Sequence, residues 1–155
     1  MTSGNIVAKT FGEFTPNDVF EMAVLRSEVF FLEQHIDEEE FDHHDREETT
    51  LHLWCRDEGG MQAYLRLVHD DTVANQHDGI ADSLGRMVVR ADMRGQGLAK
   101  KLLNRALVIH GERPLYLHSQ EYITPLYEKV GFVAVGDPFQ EAGITHQLMI
   151  RSLDA

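Results

Sequence analysis

The chain has 155 residues, 43% of them hydrophobic, with 26 acidic against 14 basic side chains and a net charge of −12. That length fits one domain, residues 1–155, able to hold a core without disulfides or metal, and the lone Cys55 excludes an intrachain disulfide framework and suits a reducing compartment. The acidic balance argues against nucleic acid or an anionic membrane surface as partner. No apolar run approaches the roughly 20 residues that cross a bilayer, and residues 1–11 show no basic start with an apolar stretch, so a cytoplasmic protein is expected.

In chain order, residues Asn5 to Phe11 read as a first strand. Thr15-Pro16-Asn17-Asp18 is a helix start: Thr15 is a fitting N-cap, Pro16 suits the first helical position, and Asp18 complements the dipole. Val19, Met22, Ala23, Leu25, Val29 and Phe30 follow at near-helical spacing. Leu51–Arg56 and Met61–His69 alternate in polarity around Asp57-Glu58-Gly59-Gly60, which predicts a β-hairpin. Asp70 to Asp82 reads as a polar loop and Arg86 to Arg90 as a short strand. Gly97 to His110 is a helix with Leu98, Leu102, Ala106 and Ile109 on one stripe. Leu115–Leu117 is a strand, Tyr122–Val130 a short helix stopped by Gly131, and Phe132–Val135 and Ile144–Ile150 are closing strands. A hairpin followed by alternating strands and helices predicts a mixed sheet flanked by helices.

Charge is unevenly spread. Asp37 to Glu48 holds eight acids and one fixed positive charge, Arg46, whereas Arg86 to Arg105 holds six basic residues and one acid, Asp92. An acidic protein that gathers its positive charge in one segment has an anion to hold there. That segment contains a strand, a turn, two glycines and a helix start. A helix N-terminus presents unpaired N–H groups and a partial positive charge, and Gly95 and Gly97 let a pyrophosphate approach the backbone. Arg94, Lys100 and Lys101 add mobile charge. A P-loop needs Gly-Lys-Ser/Thr where this chain has Gly97-Leu98-Ala99, and a dinucleotide fold needs a small residue where Lys100 stands. A plain glycine-rich turn with solvated basic residues is the alternative.

Arg94-Gly-Gln-Gly97-Leu-Ala99 resembles the signature Arg/Gln-x-x-Gly-x-Gly/Ala of the GNAT superfamily of N-acetyltransferases. The resemblance implies a mixed, mostly antiparallel α/β (α+β) sheet flanked by helices and splayed between strands 4 and 5. It also implies a loop of Arg94, Gly95, Gln96, Gly97, Leu98, Ala99 and Lys100 around the pyrophosphate of acetyl-CoA. Met87, Val88 and Val89 then correspond to the strand that pairs with the pantetheine arm, and Val88 or Val89 N–H to the group that polarises the thioester. Tyr127-x-x-x-Gly131-Phe132 matches the superfamily's second motif, which makes Tyr127 the acid that protonates the departing thiolate. A phenol of pKa about 10 can serve a thiolate whose thiol has pKa about 8.5. Read alone, Tyr127 is a half-buried core aromatic. Gln120 stands where many relatives carry a cofactor-binding Asn.

Arg26-Ser-Glu-Val29-Phe30-Phe-Leu-Glu33-Gln34 resembles the ElaA-like branch, as do Leu51-His52-Leu-Trp54, Ala63-Tyr64-Leu-Arg66 and Glu141-Ala-Gly143-Ile144-Thr145-His146. The last departs from the branch pattern at Ala142 and Thr145. The expected reaction is direct acetyl transfer from acetyl-CoA to a primary amine of a small molecule or peptide, by a monomer or homodimer without metal. Such an amine arrives protonated and must lose a proton. Glu33 and His146 are the candidate bases, with His118 behind them; a solvated surface acid and a hydrogen-bonded strand histidine are their structural alternatives. The acidic run would attract a cationic acceptor or would be a solvated loop. Adjacent His43 and His44 point apart, which disfavours a metal site. Two rival readings are a non-catalytic acyl-CoA sensor on the same fold and an acidic metal-binding module centred on Asp37 to Asp45. Cys55, between core positions of its strand, reads as a small core residue rather than a nucleophile.

Overall fold

The computed structural model describes residues 5–152; the first four residues, part of the N-terminal stretch considered above, and the last three lie outside the described residues. A seven-stranded sheet runs in the order β1-β2-β3-β4-β5-β7-β6. Its strands are β1 (Ile6–Lys9), β2 (Leu51–Asp57), β3 (Gly60–His69), β4 (Asp82–Val89), β5 (Leu115–Gln120), β6 (Val133–Glu141) and β7 (Ile144–Arg151). Every neighbouring pair is antiparallel except β4 and β5, as the mixed sheet required. The helices are α1 (Pro16–Arg26), α2 (Leu98–His110) and α3 (Thr124–Glu128).

The two-residue period of the strands sorts the core. Leu53, Cys55, Ala63 and Leu65 face α2, whereas Trp54, Tyr64 and Val88 face Met22 and Leu25 of α1. Burial raises the Cys55 thiol pKa, in keeping with a packing role. On α2 the buried stripe is Leu98, Leu102, Leu103, Ala106, Leu107 and His110, and Ile109 is exposed rather than inward. Helix α1 opens on the expected cap: Thr15 Oγ1 accepts from Asp18 N–H (3.1 Å), and the Asp18 carboxylate accepts from Thr15 N–H (2.9 Å). It does not end at Arg26. Residues Ser27–Glu33 continue as a π-helical turn, which buries Val29 and Phe30 and carries Glu33 and Gln34 across the sheet.

Several element boundaries differ from the sequence expectation: β1 is Ile6–Lys9 rather than Asn5 to Phe11, β5 runs on to Gln120 rather than stopping at Leu117, and α3 is Thr124–Glu128 rather than Tyr122–Val130. β4 begins at Asp82, not Arg86, because a bulge interrupts its alternation: Tyr64 and Arg66 of β3 oppose Val88 and Gly85, and Arg86 takes a positive φ of 56°. The polar stretch before it contains a 3-10 turn at Asp71–Gln76. β6 runs on to Glu141 past an irregularity between Val135 and Phe139, and meets β7 through Ala142 and Gly143, both at positive φ.

The acidic run is not a solvated loop throughout. Its inward residues neutralise buried arginines. Arg26 is 0% exposed; its Nη1 donates to Asp45 Oδ1 (2.8 Å) and its Nε to Glu40 Oε2 (2.6 Å). Arg66 Nη1 donates to Asp42 Oδ1 (2.7 Å) and Asp45 Oδ1 (2.8 Å), and Arg86 reaches Glu40 Oε2 (3.2 Å). Asp37, Glu38 and Glu39 face outward. Beneath this network His52 Nε2 donates to Asp45 O (2.9 Å), and its Nδ1 accepts from Tyr64 Oη (2.6 Å), so both ring nitrogens are satisfied in the neutral form.

Burial pushes the His52 pKa down to about 4, with Arg26 and Arg66 adding to the shift. Between that value and the ordinary 6.5, the unfolded chain binds the extra proton and the folded chain does not. Stability is therefore full above about pH 6.5 and is lost as pH falls toward 4, by on the order of 2–3 kcal/mol. Exposed His69, whose pKa is raised by Asp82 and Asp71, works in the opposite sense but is screened by solvent. Urea denaturation at pH 7 and pH 4.5 checks this, and His52→Gln should flatten the dependence in that window.

Candidate active site

β4 and β5 pair at one position only, Ser83 with Tyr116, and then part. The gap opens into a cleft of about 1280 Å³ between Met87, Val88 and Val89 on one wall and His118, Ser119 and Gln120 on the other. Arg90 N–H donates to Gln62 O (2.7 Å) on the β3 side. Strand alternation therefore turns Val88 N–H toward β3 and Val89 N–H toward the gap. Arg94 Nε, which donates to Val89 O at 3.0 Å, reaches that backbone from the gap side. Of the two valines, Val89 is the one whose amide can meet a thioester.

Beyond β4 a 3-10 turn, Ala91–Met93, leads into the glycine loop. Gly95 and Gly97 take φ of 80° and 79°, which only glycine adopts cheaply, and a Cβ at either would meet open space. The need for glycine here is thus conformational. Gly97 is the N-cap of α2 and has no side chain with which to cap it. The first intrahelical bond is Lys101 N–H to Gly97 O (3.0 Å), so the amides of Leu98, Ala99 and Lys100 precede the helical ladder. That is the chemistry an anionic phosphate satisfies. Leu98 is buried, Ala99 half-buried, and Gln96 and Lys100 exposed.

The positive charge available to an anion is smaller than the basic count suggested. Arg86 is turned to Glu40 and Asp42, and Arg90 pairs with Asp57 (2.7 Å) and Asp92 (2.6 Å). Arg94 remains at the loop. Its Nη1 and Nη2 donate to both oxygens of Glu33 at 2.8 Å, and this pair holds the Glu33 carboxyl below its ordinary pKa. Glu33 is therefore a partner of the glycine-loop arginine, and a carboxylate so held is a poor proton acceptor. Its neighbour Gln34, which the sequence did not single out, exchanges amide hydrogen bonds with Gln120 at 2.9 and 3.4 Å. Glu33 and Gln34 thus hold opposite walls of the cleft.

Tyr127 lies on α3, 5% exposed and edge-on to Phe132 with ring centroids 5.8 Å apart, and it also borders the cleft. Burial pushes its phenol above the ordinary value, so it holds its proton at neutral pH. On the opposite face of the sheet, His146 from β7 and His118 from β5 line the same cleft. His146 is 6% exposed and its Nδ1 donates to Ile144 O (2.8 Å). His118 Nδ1 stands 2.9 Å from Glu141 Oε1, and its Nε2 stands 3.1 Å from His77 Nε2. His77 and Glu141 carried no assigned role in the sequence. His77 sits in a stretch read as loop, 41 residues from its partner, and no local signal marks it. Glu141 was visible only as part of a longer likeness. His43, His44 and Glu47 offer ligand atoms within 4.8 Å of one another, but His44 Nε2 is already 2.9 Å from Asp70. Asp42 and Asp45, central to the metal-module reading, are engaged by arginines. Among the described residues, no helix is long and apolar enough to cross a membrane.

Known proteins agree with this architecture. A family model described as acetyltransferase (GNAT) domain matches residues 12–153. A UPF0039 protein of Mycobacterium tuberculosis is 34% identical over 134 residues, spanning 86% of this chain and 83% of its own. An acyl-CoA N-acyltransferase from Pseudomonas aeruginosa of known structure is 34% identical, with a TM-score of 0.82 over 96% of this chain and 99% of its own. The crystal structure of Escherichia coli ElaA superposes with a TM-score of 0.85 at 24% identity, over 96% of this chain and 99% of its own, a likeness of fold.

Proposed function

The chain belongs to the acetyltransferase (GNAT) family, an acyl-transferring group, and from that premise we propose that it moves an acetyl group from acetyl-CoA directly to a primary amine. The observation that carries the reading is the uncapped N-terminus of α2, preceded by two left-handed glycines and opening on the splayed β4–β5 gap. The amides from Gly95 to Lys100, with Arg94 and the Lys100 ammonium, would hold the pyrophosphate of the co-substrate. Met87, Val88 and Val89 would flank the pantetheine arm, and Gln120 would bond it once released from Gln34.

Val89 N–H would polarise the thioester carbonyl, as an oxyanion donor does. His146, whose Nδ1–H is fixed on Ile144 O, presents the lone pair of Nε2 and would take the ammonium proton. The free amine then attacks the carbonyl carbon, and Tyr127 returns a proton to the sulfur as the C–S bond breaks. No covalent enzyme intermediate and no metal are needed. The acceptor would be a small molecule or peptide in the cytoplasm, and the enzyme a monomer or homodimer.

Thermal unfolding with acetyl-CoA, free CoA and NAD added separately tests this. A ligand at a hundred times its Kd adds about 2.7 kcal/mol, a rise in Tm of roughly 5–10 °C for a chain of this size. Both CoA species should raise Tm and NAD should not. No shift with either would reduce the glycine loop to a turn. A shift without thiol release on any amine would favour the non-catalytic sensor.

A further inference from the structure

The cleft wall opposite the glycine loop carries a connected set of polar groups that acyl-CoA binding does not use. Glu141 closes β6 at the tight Ala142–Gly143 turn, His146 follows on β7, His118 comes from β5, and His77 ends the Asp71–Gln76 turn. His77 is 7% exposed and stacks on Tyr116 with ring centroids 3.8 Å apart. Its Nδ1 faces Val73 O at 2.9 Å and must carry a proton, because a carbonyl only accepts. Its Nε2 faces His118 Nε2, and His118 Nδ1 faces Glu141 Oε1.

His118 thus bridges His77 Nε2 and Glu141 Oε1, and the His118 hydrogen bond holds the Glu141 carboxyl below its ordinary pKa. This clamp fixes Oε1 and leaves Glu141 Oε2 facing His146 Nε2 across 3.9 Å. Two acceptors at that separation suit one ammonium group, which can donate an N–H to each.

We propose that Glu141 Oε2 and His146 Nε2 form the subsite for the acceptor's ammonium group, with His118 and His77 as positioning residues that hold Glu141 in place. The inference rests on the acyl-transfer reading above and names the acceptor class: a primary alkylamine, cationic in solution. The ammonium binds between the two acceptors. One proton passes from its nitrogen to His146 Nε2, and the imidazolium so formed faces the Glu141 carboxylate, as in a carboxylate–histidine pair. The neutral amine forms the new C–N bond. As the tetrahedral intermediate collapses, Tyr127 gives its proton to the departing sulfur, the second proton of the nitrogen returns through water to the phenolate, and His146 releases the first to solvent.

The test compares two nucleophiles on the full chain. An alkylamine arrives as a cation and must lose a proton before attack, whereas an alkoxyamine is uncharged at neutral pH and needs no proton removed before attack. Glu141→Gln should lower kcat/KM for the alkylamine by about 100-fold and change that for the alkoxyamine by no more than about threefold. Acetyl-CoA Kd and Tm should stay at their wild-type values. His118→Phe should raise KM for the alkylamine more than it lowers kcat, and His118→Gln, which can still donate to Glu141, should recover part of the loss. Equal loss with both nucleophiles, or no loss with either, overturns the subsite. If the wild-type chain binds acetyl-CoA yet acylates neither nucleophile, the acyl-transfer reading itself fails, an outcome distinct from the other two.

Discussion

Tyr127→Phe is expected to lower kcat by about 10²–10⁴-fold, the range for loss of a positioned proton donor. The phenol sits 5% exposed at the cleft, and burial keeps it protonated. In water a phenol of pKa about 10 would give its proton to a thiolate of pKa about 8.5 only at a cost. In the cleft the departing thiolate is desolvated as well, which raises its own proton affinity and narrows the gap. The replacement removes one oxygen and keeps the ring on Phe132, so Tm should move by only a few degrees. Acetyl-CoA Kd should change by no more than about threefold, because the lost interaction belongs to the transition state. Stopped-flow thiol release with a saturating amine measures the effect. An unchanged kcat would make Tyr127 a core aromatic that happens to border the cleft.

Asp45→Ala should have the largest effect on stability, about 3–5 kcal/mol out of a total on the order of 5–15. Asp45 is 4% exposed and accepts from Arg26 and Arg66, which are 0% and 6% exposed. Removing it leaves the guanidiniums of Arg26, Arg66 and Arg86 sharing two carboxylates, Glu40 and Asp42, with one positive charge uncompensated. The contrast is Arg56 with Glu21, a pair on the surface worth about 0–1 kcal/mol. Tm should fall on the order of 10 °C for Asp45→Ala and little for Glu21→Ala. The arginines hold the Asp45 and Asp42 carboxyls below their ordinary pKa against the opposing effect of burial. Their contribution is therefore present above about pH 4 and disappears as acid protonates them, below the window in which His52 acts. A destabilisation under about 1 kcal/mol would mean that water reaches the network.

What the sequence revealed well was local. The Thr15–Asp18 cap, the β2–β3 hairpin around Asp57–Gly60 and the glycine loop each depend on residues within one turn or one strand of each other. The bulge at Arg86 hid the start of β4, since a non-glycine residue at positive φ leaves no compositional mark. The strand read as Phe132–Val135 in fact passes on through Gly136 and Pro138 to Glu141. Arg26 stood in the sequence only as the first residue of an ElaA-like segment; its burial depends on Glu40 and Asp45, supplied by a loop 14 to 19 residues on. The cleft was hardest to read. Gln34 meets Gln120 across 86 residues and His118 meets His77 across 41, so the pairings exist only after the sheet has formed. The loop and Tyr127 could be found by motif. His146 and His118 were named from the sequence, but their joining with His77 and Glu141 is visible only in the fold.

The acidic loop over the cleft is fastened at Glu40, Asp42 and Asp45, while Asp37, Glu38 and Glu39 project outward. Its fastening and its outward face are thus different residues. Substitution at 37–39 can alter what the loop presents to an incoming molecule and leave the arginine network intact. Replacement of those outward residues can therefore change the charge at the cleft rim without loss of the scaffold, and a library confined to positions 37–39 is the economical place to vary it.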